Sequence, residues 1–161
     1  MIVVRTVKNR GPRPVLAGCG HYVKLLKTPP TTEETYPVLG KIVLWISAIV
    51  FISYGLACFF YPGLPAGYAG LVMSNGDAFA EMGAMYGGLQ TGFGLFCLIG
   101  AVKPVYSRAA LLLLVCCIGL LALGRLYSTF TGTDAVGVYT WGAMAFEFST
   151  AILAAIALRK S

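Results

Sequence analysis

Four long apolar segments dominate the sequence from residue 38 onward. They cover about residues 38–61, 78–102, 107–129 and 138–158, and short connections join them. At the ~1.5 Å rise per residue of an α-helix, each segment is long enough to cross the ~30 Å hydrocarbon core of a bilayer. Because the connections are short, consecutive helices are expected to be antiparallel neighbours. The pattern predicts an all-α polytopic membrane protein, an antiparallel four-transmembrane-helix bundle.

The composition agrees with a membrane location and distinguishes two regions. The 161 residues suffice for one domain, and 58% are hydrophobic while 11% are charged, which is unlike a soluble globular protein. Residues 38–161 are assigned to the transmembrane domain and residues 1–37 to a basic, Pro-interrupted tail on the cytoplasmic side. An interfacial helix over residues 15–27 and an unstructured tail are alternative interpretations. The tail residues expected to bind a partner or an anionic lipid surface are Arg5, Lys8, Arg10, Arg13, Lys24 and Lys27.

The basic residues follow the topology of the four spans. Every Lys and Arg except Arg125 lies in the tail, early in the first span, in the turn at residues 103–108 between the second and third spans, or at the chain end. The only charged residues in the connections on the opposite side are two acids, Asp77 and Asp134. The positive-inside rule therefore predicts that both termini are cytoplasmic, or face the equivalent compartment of an organelle. The net charge of +6 then needs no nucleic-acid partner to explain it.

Cysteine and histidine give no sign of redox or metal chemistry. The five cysteines include no CxxC pair, and four lie inside apolar segments, where cysteine behaves as a small packing residue. His21 is the only histidine and lies outside every span, which excludes a haem held by two histidines. We predict no metal site, no cofactor and no catalytic residues. The cysteines are Cys19, Cys58, Cys97, Cys116 and Cys117.

Charged residues inside the spans form a candidate site. Glu81 is expected ~5 Å and Arg125 ~6 Å from the outer ends of adjacent helices, so their side chains would lie at one level. Glu147 is expected ~14 Å deep, and the side chain of the same arginine could bridge part of the offset between Glu81 and Glu147. Charged groups in hydrocarbon are costly and face other helices, water or a ligand. Two interpretations remain open: an ion pair that locks the helices together, and a pocket for a proton or a small amphiphilic molecule.

Further polar and small residues extend this intramembrane cluster. Gln90 lies half a turn around the helix from Glu81, so an interhelical hydrogen bond is its expected role. Tyr86 could supply a hydroxyl to the outer pocket, as could Tyr54, Tyr127 and Tyr139. Glycines spaced four apart allow close helix packing; they are Gly83, Gly87, Gly88 and Gly92.

Three segments carry a resemblance to a known family. They are AEMGAMYGGLQTGFGLF, the LGRLY that ends the third span, and AFEFSTAILAAIALR in the fourth. Over about residues 38–159 the chain resembles small bacterial four-span integral membrane proteins catalogued as a domain of unknown function. The resemblance implies the fold and a membrane location but no activity, and the tail departs from the usual pattern. The motif positions it implies are Glu81, Tyr86, Gly87, Gly88, Arg125 and Glu147.

Function is predicted at the level of class. The favoured hypothesis is a non-enzymatic accessory or scaffolding subunit in the bacterial inner membrane, in contact with lipids and other membrane subunits. The alternative is a transporter or carrier of protons or of a small lipophilic molecule, using the Glu81, Arg125 and Glu147 pocket. A bound lipid would be compatible with that pocket. A membrane enzyme acting on lipids or quinones through the same charges is a third alternative.

Overall fold

The predicted spans are present as long helices. The computed structural model describes residues 38–160, and in that range it contains five helices and no strand. The short helix α2, Gly63–Ala69, lies in the connection after the first span. The other four are long and apolar enough to cross a membrane. They are α1 (Val38–Phe60), α3 (Gly76–Val102), α4 (Pro104–Thr131) and α5 (Val138–Arg159).

The all-α four-span prediction is confirmed, with two adjustments to its detail. Helices α3 and α4 extend beyond the expected ends, and the connection expected between α1 and α3 contains α2. The predicted basic tail, with its alternative conformations and its binding residues, lies outside the described residues. We use "distal end" for the end of the bundle that carries α2 and residues 132–137.

The start of α3 is capped by a different residue from the one expected. A span that begins at residue 78, as expected from the sequence, would have Asp77 as its N-cap, but Asn75 occupies that position with an extended backbone. The Asn75 side-chain oxygen accepts a hydrogen bond of 2.9 Å from the Ala78 amide. This bond satisfies one of the free amides of the first turn. Asp77 lies within that turn instead, where its charge complements the helix dipole.

The turn between α3 and α4 is a single residue, Lys103. Pro104 follows at the first helical position, where its missing amide costs nothing and its fixed φ favours a helix start. The buried Ser107 hydroxyl donates a 2.6 Å hydrogen bond to the Gly100 carbonyl. The two helices are therefore tied closely together at the end opposite the distal end.

The four long helices enclose one apolar core. Helix α1 packs against α3 and α5, and α4 packs against both α3 and α5. Phe51 on α1 and Phe146 on α5 meet edge to face with ring centroids 6.0 Å apart, which closes the bundle between its first and last helices. The largest fully buried apolar side chains include Leu44, Leu111, Leu114 and Ile118.

Glycine allows α1 and α3 to touch through their backbones. A methyl group added at Gly94 would lie 2.7 Å from the Ile52 nitrogen, and one at Gly87 would lie 2.6 Å from the Phe59 Cα. Gly55 on α1 meets Thr91 on α3 just as closely. Such distances are tighter than side chains allow, so these positions require glycine.

The four glycines predicted to pack helices have different surroundings in the structure. Gly87 is at a close helix contact, and Gly83 is in ordinary contact with Pro62. Among the described residues, a methyl group at Gly92 would meet no atom within 4 Å, and one at Gly88 would reach only the Gly83 carbonyl at 4.0 Å. Both of these glycines are exposed. Spacing alone could not reveal which side of α3 faces α1.

Candidate functional site

Arg125 on α4 and Glu147 on α5 form an ion pair whose carboxylate is buried. The Arg125 Nη2 donates to Glu147 Oε1 at 2.7 Å, and Nε donates to Oε2 at 3.1 Å and to Oε1 at 3.2 Å. Paired, charge-assisted hydrogen bonds of this kind are among the strongest in proteins. The Glu147 side chain is 7% exposed, whereas that of Arg125 is 25% exposed. The deepest acid of the bundle is thus fully paired, and the arginine extends from it toward the surface.

Glu81 does not join this pair. Its side chain is exposed, and it makes no ion pair within residues 38–160. Glu81 and Arg125, which were expected at one level, therefore do not form an ion pair with each other. The distal half of α3 packs against α1 and α2, whereas α3 packs against α4 mainly through residues 90–102. The two helices diverge from the Lys103 turn, so equal depth does not bring these side chains together.

Each of the two diverging helices contains a π-helical segment. One covers Gly83–Leu89 in α3 and the other covers Leu114–Ile118 in α4. A π-helical turn is wider than an α-helical turn, and such segments are found frequently at functional sites. In α3 the Thr91 hydroxyl donates a 2.7 Å hydrogen bond to the Gly87 carbonyl, which satisfies a backbone group at the return to α-helical geometry.

A cleft of about 530 Å³ lies between the diverging parts of α3 and α4. Three of its lining residues come from the π-helical segment of α3 and one, Cys117, from that of α4. Its volume is within the usual range for small-molecule sites. Apart from the Tyr86 hydroxyl, its polar groups belong to Gln90 and Arg125. The apolar lining residues are Met85, Leu89, Phe93, Cys117, Leu120 and Leu121.

The polar groups in the cleft have free hydrogen-bonding capacity. Of the five guanidinium N–H groups of arginine, Arg125 directs the one on Nε and one on Nη2 to Glu147. The Gln90 amide and the Tyr86 hydroxyl make no hydrogen bond to any other described residue. The interhelical bond expected of Gln90 is therefore not formed within residues 38–160. Gln90 shares the cleft wall with Tyr86, one turn away, and faces Arg125.

A further polar group lies close to this region. The Tyr54 hydroxyl is buried near Tyr139 and Cys58 but makes no well-formed hydrogen bond within the described part of the chain. Tyr139 also stacks on Tyr68, with ring centroids 6.1 Å apart. Tyr127, in contrast, is 72% exposed. Of the four tyrosines considered from the sequence, only Tyr86 lines the cleft.

The structure thus separates the residues predicted as one cluster. It brings Arg125, Glu147, Tyr86 and Gln90 together and leaves Glu81 outside. Sequence reasoning missed the apolar walls, since Leu, Met and Phe in a membrane helix carry no signal that distinguishes a cleft from a lipid-facing surface. The crowding of Gly83, Gly87 and Gly88 was a usable hint of irregular backbone in α3.

Comparison with known families agrees with this architecture. No curated protein sequence and no solved protein structure matches the chain. The family model described as a domain of unknown function, DUF4345, matches residues 39–158. The match includes all four membrane-spanning helices, apart from the first residue of α1 and the last residue of α5. It also includes the ion pair and the cleft. This integral membrane protein therefore belongs to the DUF4345 family.

Proposed function

We propose that this protein binds a small lipophilic molecule in the cleft between α3 and α4 and acts as its carrier within the membrane. The observation that supports the proposal best is the position of Arg125. Its guanidinium is anchored by Glu147 on one side and lines an apolar cleft on the other. Apolar walls with a few convergent polar groups are typical of small-molecule sites.

The depth of the cleft suits a ligand that arrives from the bilayer. Arg125 lies six residues before the end of α4, or ~9 Å from the distal end at the helical rise. Side chains on the cleft walls, including Leu89, Leu120 and Leu121, are 42% or more exposed. At this depth an exposed leucine faces lipid. An amphiphile could therefore enter sideways between the two helices without crossing an aqueous barrier.

A purely structural role for the ion pair explains less. A pair that served only to lock α4 to α5 would be most stable with all its donors used, since unsatisfied polar groups in hydrocarbon are costly. Within the described chain, Arg125 instead keeps unused donors beside the Gln90 amide, which makes no hydrogen bond there either. The alternative of proton transport is less well supported, because both carboxylate oxygens of Glu147 already accept hydrogen bonds from the guanidinium.

Native mass spectrometry after gentle extraction tests this function. We expect the wild-type protein to retain a non-covalent small molecule. Cys117→Phe, which fills the cleft, should release that molecule. Cys116→Phe is the matched control, because its side chain is the exposed neighbour and does not line the cleft. A wild-type protein without a bound molecule, or equal retention by both variants, would contradict the proposal.

An accessory or scaffolding role is the second candidate. It is favoured by Gly88 and Gly92, which are four apart, exposed, and without a close neighbour in the part of the chain that the structure describes. Small residues with this spacing allow another membrane helix to approach closely. In the same mass spectra, a protein subunit that is lost in Gly92→Leu would support this role. A monomer in every preparation would count against it.

We also propose the orientation and the compartment. Lys103 and Arg159 lie at one end of the bundle, whereas Asp77 and Asp134 lie at the distal end. This asymmetry supports cytoplasmic termini under the positive-inside rule, and the resemblance to bacterial proteins supports the inner membrane. In intact cells, a membrane-impermeant maleimide should label Asp134→Cys and spare Lys103→Cys. The reverse labelling pattern would refute this orientation.

A further inference from the structure

We infer that the ligand of the cleft is an uncharged amphiphile whose head group presents a carbonyl oxygen to Arg125. This inference rests on the proposed function and specifies its ligand class. The shared chemistry is a neutral carbonyl acceptor on an apolar body, found in quinones and in the esters of neutral lipids.

The charge of the site is already balanced. Glu147 neutralises Arg125 through bonds to both carboxylate oxygens. The remaining guanidinium N–H groups can still donate, but they carry no uncompensated positive charge. A carboxylate or phosphate bound there would stand close to Glu147 in a medium of low dielectric constant, where like charges repel strongly. A neutral carbonyl gains the hydrogen bond without that repulsion.

The surroundings strengthen the preference for a neutral head group. Within residues 38–160, Arg125 is the only basic residue in the distal half of the spans, whereas Asp77, Glu81 and Asp134 lie at or near that end. The other basic residues of the described chain lie toward the opposite end. The local potential therefore opposes anions. This distinguishes the cleft from sites for anionic lipids, which are built from clusters of Lys and Arg.

The remaining polar groups fit the same head group. The Gln90 amide can donate to a second oxygen, and the Tyr86 hydroxyl can donate or accept. Both lie on the α3 wall opposite Arg125 on α4. A head group with two oxygens could thus bridge the two helices at the cleft. With about 530 Å³ available, the cleft can enclose a ring or an ester and the first part of one chain, with the rest extending into lipid.

A matched pair of probes tests the inference. Methyl dodecanoate and dodecanoate share one chain and differ in charge at pH 8. Radiolabelled methyl dodecanoate would be bound to the full-length protein in uncharged nanodiscs and displaced by each unlabelled compound. We expect dodecanoate to require a concentration about tenfold higher, or more, for half-displacement. A short-chain benzoquinone serves as a second arm, and stronger displacement by it than by the ester would identify the quinone source.

The variant Glu147→Gln gives a second comparison. It removes the compensating charge and keeps the side-chain size, so Arg125 should then prefer the carboxylate and the order of the two probes should reverse. Wild-type protein that prefers dodecanoate would overturn the inference while leaving the proposed function intact. Absence of any displaceable binding, with Cys117→Phe equal to wild type, would overturn both. The wild-type comparison decides the matter even if Glu147→Gln fails to fold.

Discussion

Replacing Arg125 with alanine is expected to destabilise the bundle by about 3–5 kcal/mol, because the Glu147 carboxylate would remain buried without a partner. In the wild-type protein the hydrogen bonds that this carboxylate accepts from residues 38–160 are three, all from Arg125. Its side chain is only 7% exposed, so water cannot replace them. The free energy of unfolding, measured by denaturant titration in mixed micelles, gives the size of the effect.

A double variant distinguishes the effect of removing the whole ion pair from the effect of leaving one charge unpaired. Arg125→Met combined with Glu147→Leu removes both charges and retains apolar volume, so its stability is expected to lie much closer to that of the wild type. The same double variant should lose the ligand, since no donor remains on α4. If Arg125→Ala alone leaves stability unchanged, the carboxylate is not buried as the structure shows. If the double variant is as unstable as Arg125→Ala, the unpaired charge is not the cause.

Replacing Gly94 with alanine is expected to destabilise the contact between α1 and α3 by about 1–3 kcal/mol. The added methyl group would lie 2.7 Å from the Ile52 nitrogen and 3.1 Å from the Phe51 carbonyl carbon. Both are backbone atoms, so no side-chain rotation can relieve the clash. The helices would have to move apart along a shared surface that also contains Gly55 and Gly87. Thermal unfolding followed by circular dichroism measures the loss.

Gly92→Ala provides the matched control on the same helix. Its added methyl group would meet no atom of residues 38–160 within 4 Å, and alanine favours a helix over glycine by up to about 1 kcal/mol. We therefore expect unchanged or slightly increased stability. Equal destabilisation by the two substitutions would show that a general property of glycine in α3, rather than contact with α1, determines the effect.

The predictions from sequence differ in quality for a physical reason. The length of an apolar segment determines whether a helix can span a bilayer, and this length can be read directly along the sequence. The four spans were therefore located to within a few residues of their ends. The charged residues could be assigned to depths by the same reasoning. Depth is one coordinate of three, however. Glu81 and Arg125 share a depth and do not meet, while Glu147, placed deeper, takes both Nε and Nη2 of the arginine.

The glycines illustrate the same limit on a smaller scale. The four-residue spacing in α3 is identical for Gly83 with Gly87 and for Gly88 with Gly92, so no pattern in the sequence distinguishes the two pairs. Of these four glycines, only Gly87 closely contacts a neighbouring backbone in the structure. Gly94, which belongs to neither pair, makes an equally close contact. Helix orientation about its own axis depends on the neighbour and on the π-helical segment within α3.

The sequence by itself determined the class of the protein, the number of spans and the identity of the costly intramembrane groups, because these depend on the free energy of transfer of each side chain from water to lipid. The tertiary structure alone decided that Arg125 pairs with Glu147, that α3 and α4 diverge, and that a cleft lies between them. These features depend on the relative rotation and tilt of helices, which arise from packing across the whole bundle and leave no local trace in the order of residues.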